Sequence, residues 1–192
     1  MYALQLPQNP NFVPYTYYEG LFLPHEVSQI VSYWKSDERR EATLSGEKTQ
    51  DETLRKSSVI FLPSGNEYNW IYEKLAMVAQ QCNFQRFGFD LIGFAQELQL
   101  TEYAEGDFFE WHMDFGGGGI SNRKLSLTVQ LSDPEDYEGG SLQFMINDKI
   151  VDAPRTKGTI VVFPSFVMHR VTPITRGTRR SIVGWVSGVP YR

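Results

Sequence analysis

The sequence has little of what defines several large protein classes. Its 192 residues include one cysteine, Cys82, so neither an internal disulfide nor a thiolate metal site is available. No apolar run approaches the roughly 20 residues that a membrane-spanning helix needs. The first residues also lack the charged and long apolar regions of a signal peptide. We therefore expect a protein of the reducing cytoplasm with no membrane association.

Basic residues are also in the minority. The 18 Lys and Arg face 23 Asp and Glu, which gives a formal net charge of −5. Affinity for nucleic acid comes mainly from Lys and Arg on phosphates, so this balance argues against a nucleic-acid partner. With 41% hydrophobic side chains, the chain can bury one sizeable core, and we expect one domain over residues 1–192.

The hydrophobic period changes near residue 90. Before it, Pro24 begins a predicted helix with apolar residues at Val27, Ile30, Val31 and Trp34; a short strand follows at 58–62 and a second helix at 67–82. Residues 1–90 are thus predicted to be helical or irregular support, and residues 91–192 a β core. This order argues against a parallel βαβ sheet and favours a closed or two-sheet β body. Eight strands are predicted in it, near residues 95–103, 108–113, 124–131, 141–146, 149–152, 158–163, 166–171 and 179–186.

One predicted strand alternates strictly between apolar and polar residues. Its polar members would ordinarily face solvent. The alternative is that the apolar face packs under the helices, while the polar face lines a barrel interior that holds a small polar ligand. The apolar set is Leu125, Leu127, Val129 and Leu131, and the polar set is Ser126, Thr128 and Gln130.

The chain has only three histidines. His25, in the first turn of a predicted helix, is expected at the surface. His112 and Asp114 are two residues apart on a predicted strand, so their side chains share a face. His169 lies on another predicted strand, 57 residues later. Two histidines and one carboxylate on neighbouring strands form the facial triad of non-haem iron(II) oxygenases. The alternative is two unrelated, half-buried histidines.

Arg179 follows His169 by ten residues. If residues 172–178 form the turn of a hairpin, Arg179 returns beside the metal site, deeper in the barrel. A guanidinium is the expected bidentate partner of a buried carboxylate. The alternative is a salt bridge at the rim.

These residues together resemble a known family. The chain is similar to the 2-oxoglutarate-dependent dioxygenases, and more narrowly to their prolyl 4-hydroxylase-like branch, which includes the bacterial PKHD-type hydroxylases. The likeness covers roughly residues 90–187. It rests on Tyr103-x-x-Gly106-Asp-Phe-Phe-x-x-His112-x-Asp114, Arg123-Lys-Leu-Ser-Leu-Thr128, Tyr137-x-Gly139-Gly140-x-Leu142, Phe163-Pro164, Val171-Thr-Pro173-x-x-Arg-Gly-x-Arg179 with the preceding His169, and Trp185.

The resemblance implies a mainly β fold, a double-stranded β-helix (a jelly-roll, cupin-like barrel) buttressed by N-terminal helices. It implies Fe(II) bound by His112, Asp114 and His169, with 2-oxoglutarate as cosubstrate on Arg179, and O2 as the oxidant. Ascorbate is a further candidate cofactor.

Three more residues are assigned to the cosubstrate pocket by the same resemblance. Tyr103 matches a tyrosine that lines this pocket in related hydroxylases. Gln130 falls where some relatives carry a cosubstrate-binding tyrosine, and an inward amide could donate to a carboxylate in its place. Trp185 matches a pocket-wall tryptophan, although a core aromatic is an equally good interpretation.

The implied activity is hydroxylation of a C–H bond, in a prolyl residue of a peptide or protein. A free amino acid, another small molecule or an alkylated nucleic acid are alternative substrates, and a non-catalytic jelly-roll binding module or a cupin isomerase are alternative functions. The densely charged residues 36–57 and the glycine-rich residues 115–123 are read as solvated loops or as a lid over the site. The sequence does not indicate an oligomeric state.

Overall fold

The computed structural model describes residues 10–35, 38–42 and 53–190. Within these ranges the chain is mainly β, with two α-helices and fifteen strands. The helices are α1 (Pro24–Ser32) and α2 (Asn69–Cys82), and three short helical turns lie at Asn66–Tyr68, Asn83–Phe87 and Gly118–Ile120. The strands are β1 (Thr16–Tyr18), β2 (Arg40–Glu41), β3 (Arg55–Lys56), β4 (Ser58–Leu62), β5 (Leu91–Phe94), β6 (Leu98–Tyr103), β7 (Phe108–His112), β8 (Arg123–Gln130), β9 (Tyr137–Gly139), β10 (Leu142–Ile146), β11 (Lys149–Asp152), β12 (Ile160–Pro164), β13 (His169–Val171), β14 (Ile174–Gly177) and β15 (Arg179–Gly188).

Both predicted helices are present. Helix α1 begins at Pro24, whose missing N–H would have no partner there, and the Glu26 carboxylate accepts a hydrogen bond from the Leu23 N–H at 2.7 Å. It ends at Ser32, before Trp34. Helix α2 ends in a π-helical turn that closes on Gly88 at φ 72°, a left-handed conformation that suits glycine. His25 is exposed, as expected. None of the described helices is long and apolar enough to cross a membrane.

The strands form two main sheets. The larger has the order β1-β12-β8-β15-β6-β4-β2, with β5 also paired to β15, and the smaller has the order β11-β10-β13-β7-β3. A two-stranded sheet, β14-β9, lies apart from both. Each of the eight predicted segments contains a strand, and the strand at 58–62 is confirmed. The prediction missed β2, β3, β5, β9 and β14, because strands of two to four residues are too short to show a period.

The path to Arg179 differs from the predicted hairpin. Strand β13 carries His169 in the smaller sheet, whereas β15 carries Arg179 in the centre of the larger one. Residues 174–177 of the predicted turn form β14, which pairs with β9. Arg179 therefore reaches the site from the opposite sheet, because the chain crosses over instead of folding back on β13.

Strand β8 separates two environments, and all eight of its residues are buried. Leu125, Leu127 and Val129 belong to an apolar cluster with residues of α1 and α2. The alternate residues face the space between the sheets, where a second cluster contains Phe144 and Phe163. This arrangement is the second of the two interpretations of the strand pattern, with the polar face inside.

Of the charged segment 36–57, residues 36–37 and 43–52 lie outside the described part of the chain. The remainder supplies two short edge strands, β2 and β3. The proposed role of this segment as a lid stays a prediction.

Candidate metal centre

Three potential metal ligands meet in the smaller sheet. His112 ends β7 and His169 begins β13, and the two are direct partners in the antiparallel register. Asp114 follows β7, where its backbone N–H donates to the carbonyl of Ser165 at 2.9 Å. One ligand atom from each of the three side chains lies within 4.8 Å of the others. The three residues predicted from the sequence as metal ligands therefore lie close together in the structure.

Backbone carbonyls orient both imidazoles. The Nδ1 of His112 lies 2.7 Å from the carbonyl of Glu110, and that of His169 lies 2.9 Å from the carbonyl of Val167. A carbonyl only accepts, so Nδ1 carries the proton in each ring and Nε2 presents its lone pair. The Nε2 of His112 lies 3.8 Å from the Asp114 Oδ1, and the Nε2 of His169 lies 3.5 Å from the Oδ2. This is the tautomer that a metal-binding histidine requires.

Asp114 is held as a carboxylate by its neighbours. The Ser126 hydroxyl donates to its Oδ2 at 2.6 Å, and Arg123 donates to its backbone carbonyl at 3.2 Å. Burial would raise the pKa of the Asp114 carboxyl, but the imidazoles of His169 and His112, the Ser126 hydroxyl and the Arg123 charge outweigh burial and lower it. The group is therefore an anionic ligand at neutral pH.

His112 is held in its neutral form. Burial, and next the electrostatic effect of the neighbouring His169, lower its pKa to about 3, although Asp114 acts in the opposite direction. A neutral imidazole with a free Nε2 is the form that binds a metal. Two imidazoles and one carboxylate are the donor set of non-haem iron(II) sites, so these residues fit Fe(II).

Arg179 lies in the same cavity as the triad. It is 1% exposed, and its Nη2 donates to the Gln130 Oε1 at 2.9 Å. The guanidinium carbon lies 5.5 Å from the ring centre of Tyr103, its partner across the β15–β6 pair. Its Nε is buried and has no hydrogen-bond partner among the described residues. A buried guanidinium with an unused donor fits a carboxylate ligand.

The three further predicted pocket residues differ in position. Tyr103 and Trp185 line the cavity, and Trp185 also packs against the guanidinium of Arg123 at 3.8 Å. Gln130 is not among the lining residues. Its amide nitrogen donates to the carbonyl of Pro154 at 3.4 Å, while its oxygen accepts from Arg179. Gln130 thus holds Arg179, and a direct bond from it to the cosubstrate stays a prediction.

Sequence reasoning missed several residues of the cavity. Gln99 and Ser181 line it, and their Oε1 and Oγ atoms are buried without a hydrogen-bond partner among the described residues. The same is true of the Trp185 Nε1. The available signal was alternation, since 181, 183 and 185 continue the inward face that begins at Arg179. Arg55 and Phe109 also line the cavity, and no pattern in the sequence indicated them.

The glycine-rich segment after Asp114 is compact in this structure. Residues Gly118–Ile120 form a 3-10 turn, and the Ser121 hydroxyl donates to the Gly118 carbonyl at 2.8 Å. A gating role for this segment stays a prediction.

This fold and this site define a class of protein. Residues 98–187 match the model of the 2OG-Fe(II) oxygenase superfamily. Members of the family use Fe(II), 2-oxoglutarate and O2, and the His–Asp–His triad lies within the matched region.

The chain also resembles PKHD-type hydroxylases. It is 36% identical over 98 residues to one from Synechococcus sp. (strain CC9902), over 51% of this chain and 44% of that protein. It is 41% identical over 86 residues to one from Hyphomonas neptunium, over 43% of this chain and 38% of that protein. The matched region thus spans less than half the length of these relatives.

Two solved structures share the fold over nearly the whole chain. A Pseudomonas putida prolyl-4-hydroxylase aligns with a TM-score of 0.76 at 21% identity, over 92% of this chain and 93% of that one. A Trichoplax adhaerens prolyl hydroxylase, solved with a peptide fragment of the hypoxia inducible factor oxygen degradation domain, aligns with a TM-score of 0.78 at 15% identity, over 93% and 84%. These alignments confirm the predicted jelly-roll fold with its supporting helices.

Proposed function

We propose that the protein is an Fe(II)- and 2-oxoglutarate-dependent dioxygenase that hydroxylates a C–H bond and releases succinate and CO2. The observation that carries this proposal is a single cavity that contains both the triad and the buried Arg179. A metal-binding scaffold alone would have no use for a buried guanidinium with an unused donor. In this proposal the triad binds Fe(II) and Arg179 binds 2-oxoglutarate.

The triad residues have distinct parts in this proposal. His112 and His169 would offer their Nε2 atoms to the metal, because each Nδ1 is engaged by a backbone carbonyl. Asp114 supplies the negative charge and is steadied by the Ser126 hydroxyl. When bound, Fe(II) and 2-oxoglutarate together supply the activation of dioxygen that such a hydroxylation requires. The protein's own contribution would be to hold Fe(II) through these three side chains, inside the cavity that also contains Arg179.

Arg179 is proposed to bind the distal carboxylate of 2-oxoglutarate. It is fixed on one side by Gln130, and its Nε is left for a ligand. Tyr103 and Trp185 form walls of the cavity and limit the access of water to the reacting atoms. A charge-assisted bond to carboxylate in a buried site is both stronger and more selective than the same bond in water.

We propose a prolyl residue in a peptide or protein as the substrate. The support comes from structural neighbours whose names identify them as prolyl hydroxylases, one of them solved with a peptide. A cytoplasmic location belongs to the same proposal, because a chain with a single cysteine suits a reducing compartment.

The reaction class is tested by succinate formation from 2-oxoglutarate in the presence of Fe(II) and air. We expect a slow background rate without substrate that requires Fe(II) and is lost in Asp114→Ala. Absence of any Fe(II)-dependent succinate, with iron shown to bind, would contradict the proposal.

The substrate class is tested by the same assay with a library of proline-containing peptides and a matched library in which alanine replaces proline. We expect stimulation by the first library only, together with a mass increase of one oxygen in the responding peptide. Equal responses to both libraries would reject the prolyl substrate and leave the reaction class standing.

A further inference from the structure

We infer that Phe109, together with Arg55, is a positioning residue for the metal ligand His112. The three side chains form one stack, with the phenyl ring between the guanidinium and the imidazole. This inference rests on the proposed metal site and adds to it two residues that act on the metal through His112 and are not themselves metal ligands.

The stack is close and nearly parallel. The ring centres of Phe109 and His112 are 3.4 Å apart, and the ring planes differ by 12°. On the other side, the guanidinium carbon of Arg55 lies 4.8 Å from the Phe109 ring centre. Both faces of the phenyl ring are therefore in use, one in a cation–π contact and the other in stacking on imidazole.

A β-bulge makes this arrangement possible. In a regular strand, residues three apart point to opposite faces, so Phe109 and His112 would not meet. Here the register between β13 and β7 runs from His169 opposite His112 to Val171 opposite Phe109, which leaves one extra residue in β7. The extra residue turns Phe109 to the same face as His112.

Arg55 reaches the stack from the neighbouring edge strand. It lies opposite Phe109 in the β3–β7 pair, is buried, and donates from Nε to the Ser57 hydroxyl at 2.9 Å. This second bond limits the rotation of the guanidinium, so the cation is held over the ring. Arg55, Phe109 and His112 all line the cavity of the triad.

The two histidine ligands need this support unequally. The His169 side chain is 6% exposed, with Phe163 at 4.7 Å between ring centres, whereas the His112 side chain is 18% exposed. The Glu110 carbonyl fixes the His112 tautomer but leaves the ring free to tilt about that bond. The Phe109 stack removes this freedom, and outer residues that orient metal ligands typically affect metal affinity about 10- to 100-fold.

The same strand pair carries a matched control. Trp111 lies between Glu110 and His112, and the Arg170 guanidinium lies 4.6 Å from its ring centre. Neither residue lines the cavity. Trp111→Leu and Arg170→Met therefore remove an arginine–aromatic contact of the same kind that also involves strand β7, without touching the stack on His112.

The experiment is a Co(II) titration of the metal-free protein, followed by its d–d absorption at saturating metal. We expect Phe109→Leu to weaken Co(II) binding about tenfold and to alter the d–d bands, and Arg55→Met to weaken binding about two- to fivefold. Phe109→Tyr keeps the ring and should retain the wild-type affinity and spectrum. Trp111→Leu and Arg170→Met should do the same.

The outcomes separate the inference from the proposed function. If the wild-type protein binds no Co(II), the proposed metal site itself is rejected. If wild type binds and Phe109→Leu shows the affinity and spectrum of Trp111→Leu, the positioning role is rejected. If circular dichroism shows Phe109→Leu to be unfolded, Arg55→Met against Arg170→Met decides the question in the same way.

Discussion

The two faces of strand β8 are both buried, but one packs in the apolar core and the other contacts residues of the candidate site. On the outer face, Leu125, Leu127 and Val129 pack into a cluster with the helices. On the inner face, the Ser126 hydroxyl bonds to Asp114 and Gln130 accepts from Arg179. Burial alone does not distinguish a structural face from a functional one. The distinction lies in whether the partners are apolar contacts or specific polar atoms of a site.

The inward side of the neighbouring strand β15 has polar atoms without partners among the described residues. They include the Arg179 Nε, the Ser181 Oγ and the Trp185 Nε1, all at the cavity. An unpaired buried polar group typically costs about 1–3 kcal/mol, so a chain selected for stability alone would not collect them in one place. The outer face stabilises the fold. The side that faces the cavity carries unpaired polar groups, whose cost in folding free energy a bound ligand can offset.

The largest effect is expected on the metal ligands themselves. His169→Ala or Asp114→Ala removes one of three ligands, and we expect loss of Fe(II) binding and of turnover in a folded protein. Fe(II) binding by equilibrium dialysis and succinate formation measure this. A His169→Ala variant that binds iron and turns over as wild type does would show the triad assignment to be wrong.

The second-largest effect distinguishes the residue proposed to bind the cosubstrate from the residues proposed to bind the metal. Arg179→Ala should retain Fe(II) and weaken 2-oxoglutarate by roughly 100-fold or more, since one partner of a buried charge pair is removed. A 2-oxoglutarate titration of the Fe(II)-loaded protein measures this change. As a control, Arg176→Ala removes an exposed arginine of β14, paired with Glu138, and should leave the affinity unchanged. Equal affinities in the two variants would argue against cosubstrate binding at Arg179.

The outer face should affect stability and little else. Leu127→Ala truncates a side chain that is 1% exposed, and we expect a loss of about 2–5 kcal/mol in the free energy of unfolding. Denaturant titration of the metal-free protein measures this loss. The Co(II) affinity of the folded variant should match wild type, and a large fall in affinity would contradict the division between the two faces.

The smallest effect is expected for Ser126, which precedes Leu127 and points to the inner face of β8. Ser126→Ala removes the hydroxyl that donates to Asp114, and we expect metal affinity to fall about tenfold. The free energy of unfolding should change much less than in Leu127→Ala, because only one oxygen atom is lost. A Ser126→Ala variant with wild-type metal affinity would show that the Ser165 carbonyl and Arg123 suffice to hold Asp114.

Local sequence patterns predicted the elements whose apolar residues follow a regular period along the chain. The period of Ile71 and Leu75 gave helix α2, and the alternation in β8 gave its two faces. His112 and Asp114 were predictable because two residues on one strand share a face. The triad with His169 and the approach of Arg179 were predicted from residue types and spacing, with alternatives left open, and the resemblance supported both. The hairpin predicted for Arg179 was wrong, because β13 and β15 lie in different sheets.

The features that the sequence did not predict depend on tertiary structure. The crossover that brings Arg179 from the opposite sheet involves the short pair β14–β9, which has no sequence period. Phe109 joins His112 only because of a bulge that the pattern of β7 does not reveal. Gln99 lies in the cavity because its strand pairs with β15 at Val183, a register fixed by the whole sheet.

The most direct test of this account is the anaerobic addition of Fe(II) and 2-oxoglutarate to the metal-free protein, with visible absorption as the signal. The account predicts a weak charge-transfer band that requires both components in wild type, appears only at much higher 2-oxoglutarate in Arg179→Ala, and is absent in Asp114→Ala. A wild-type protein that binds Fe(II) but gives no band with 2-oxoglutarate would contradict it. The cavity would then serve another metal-dependent reaction or ligand binding alone.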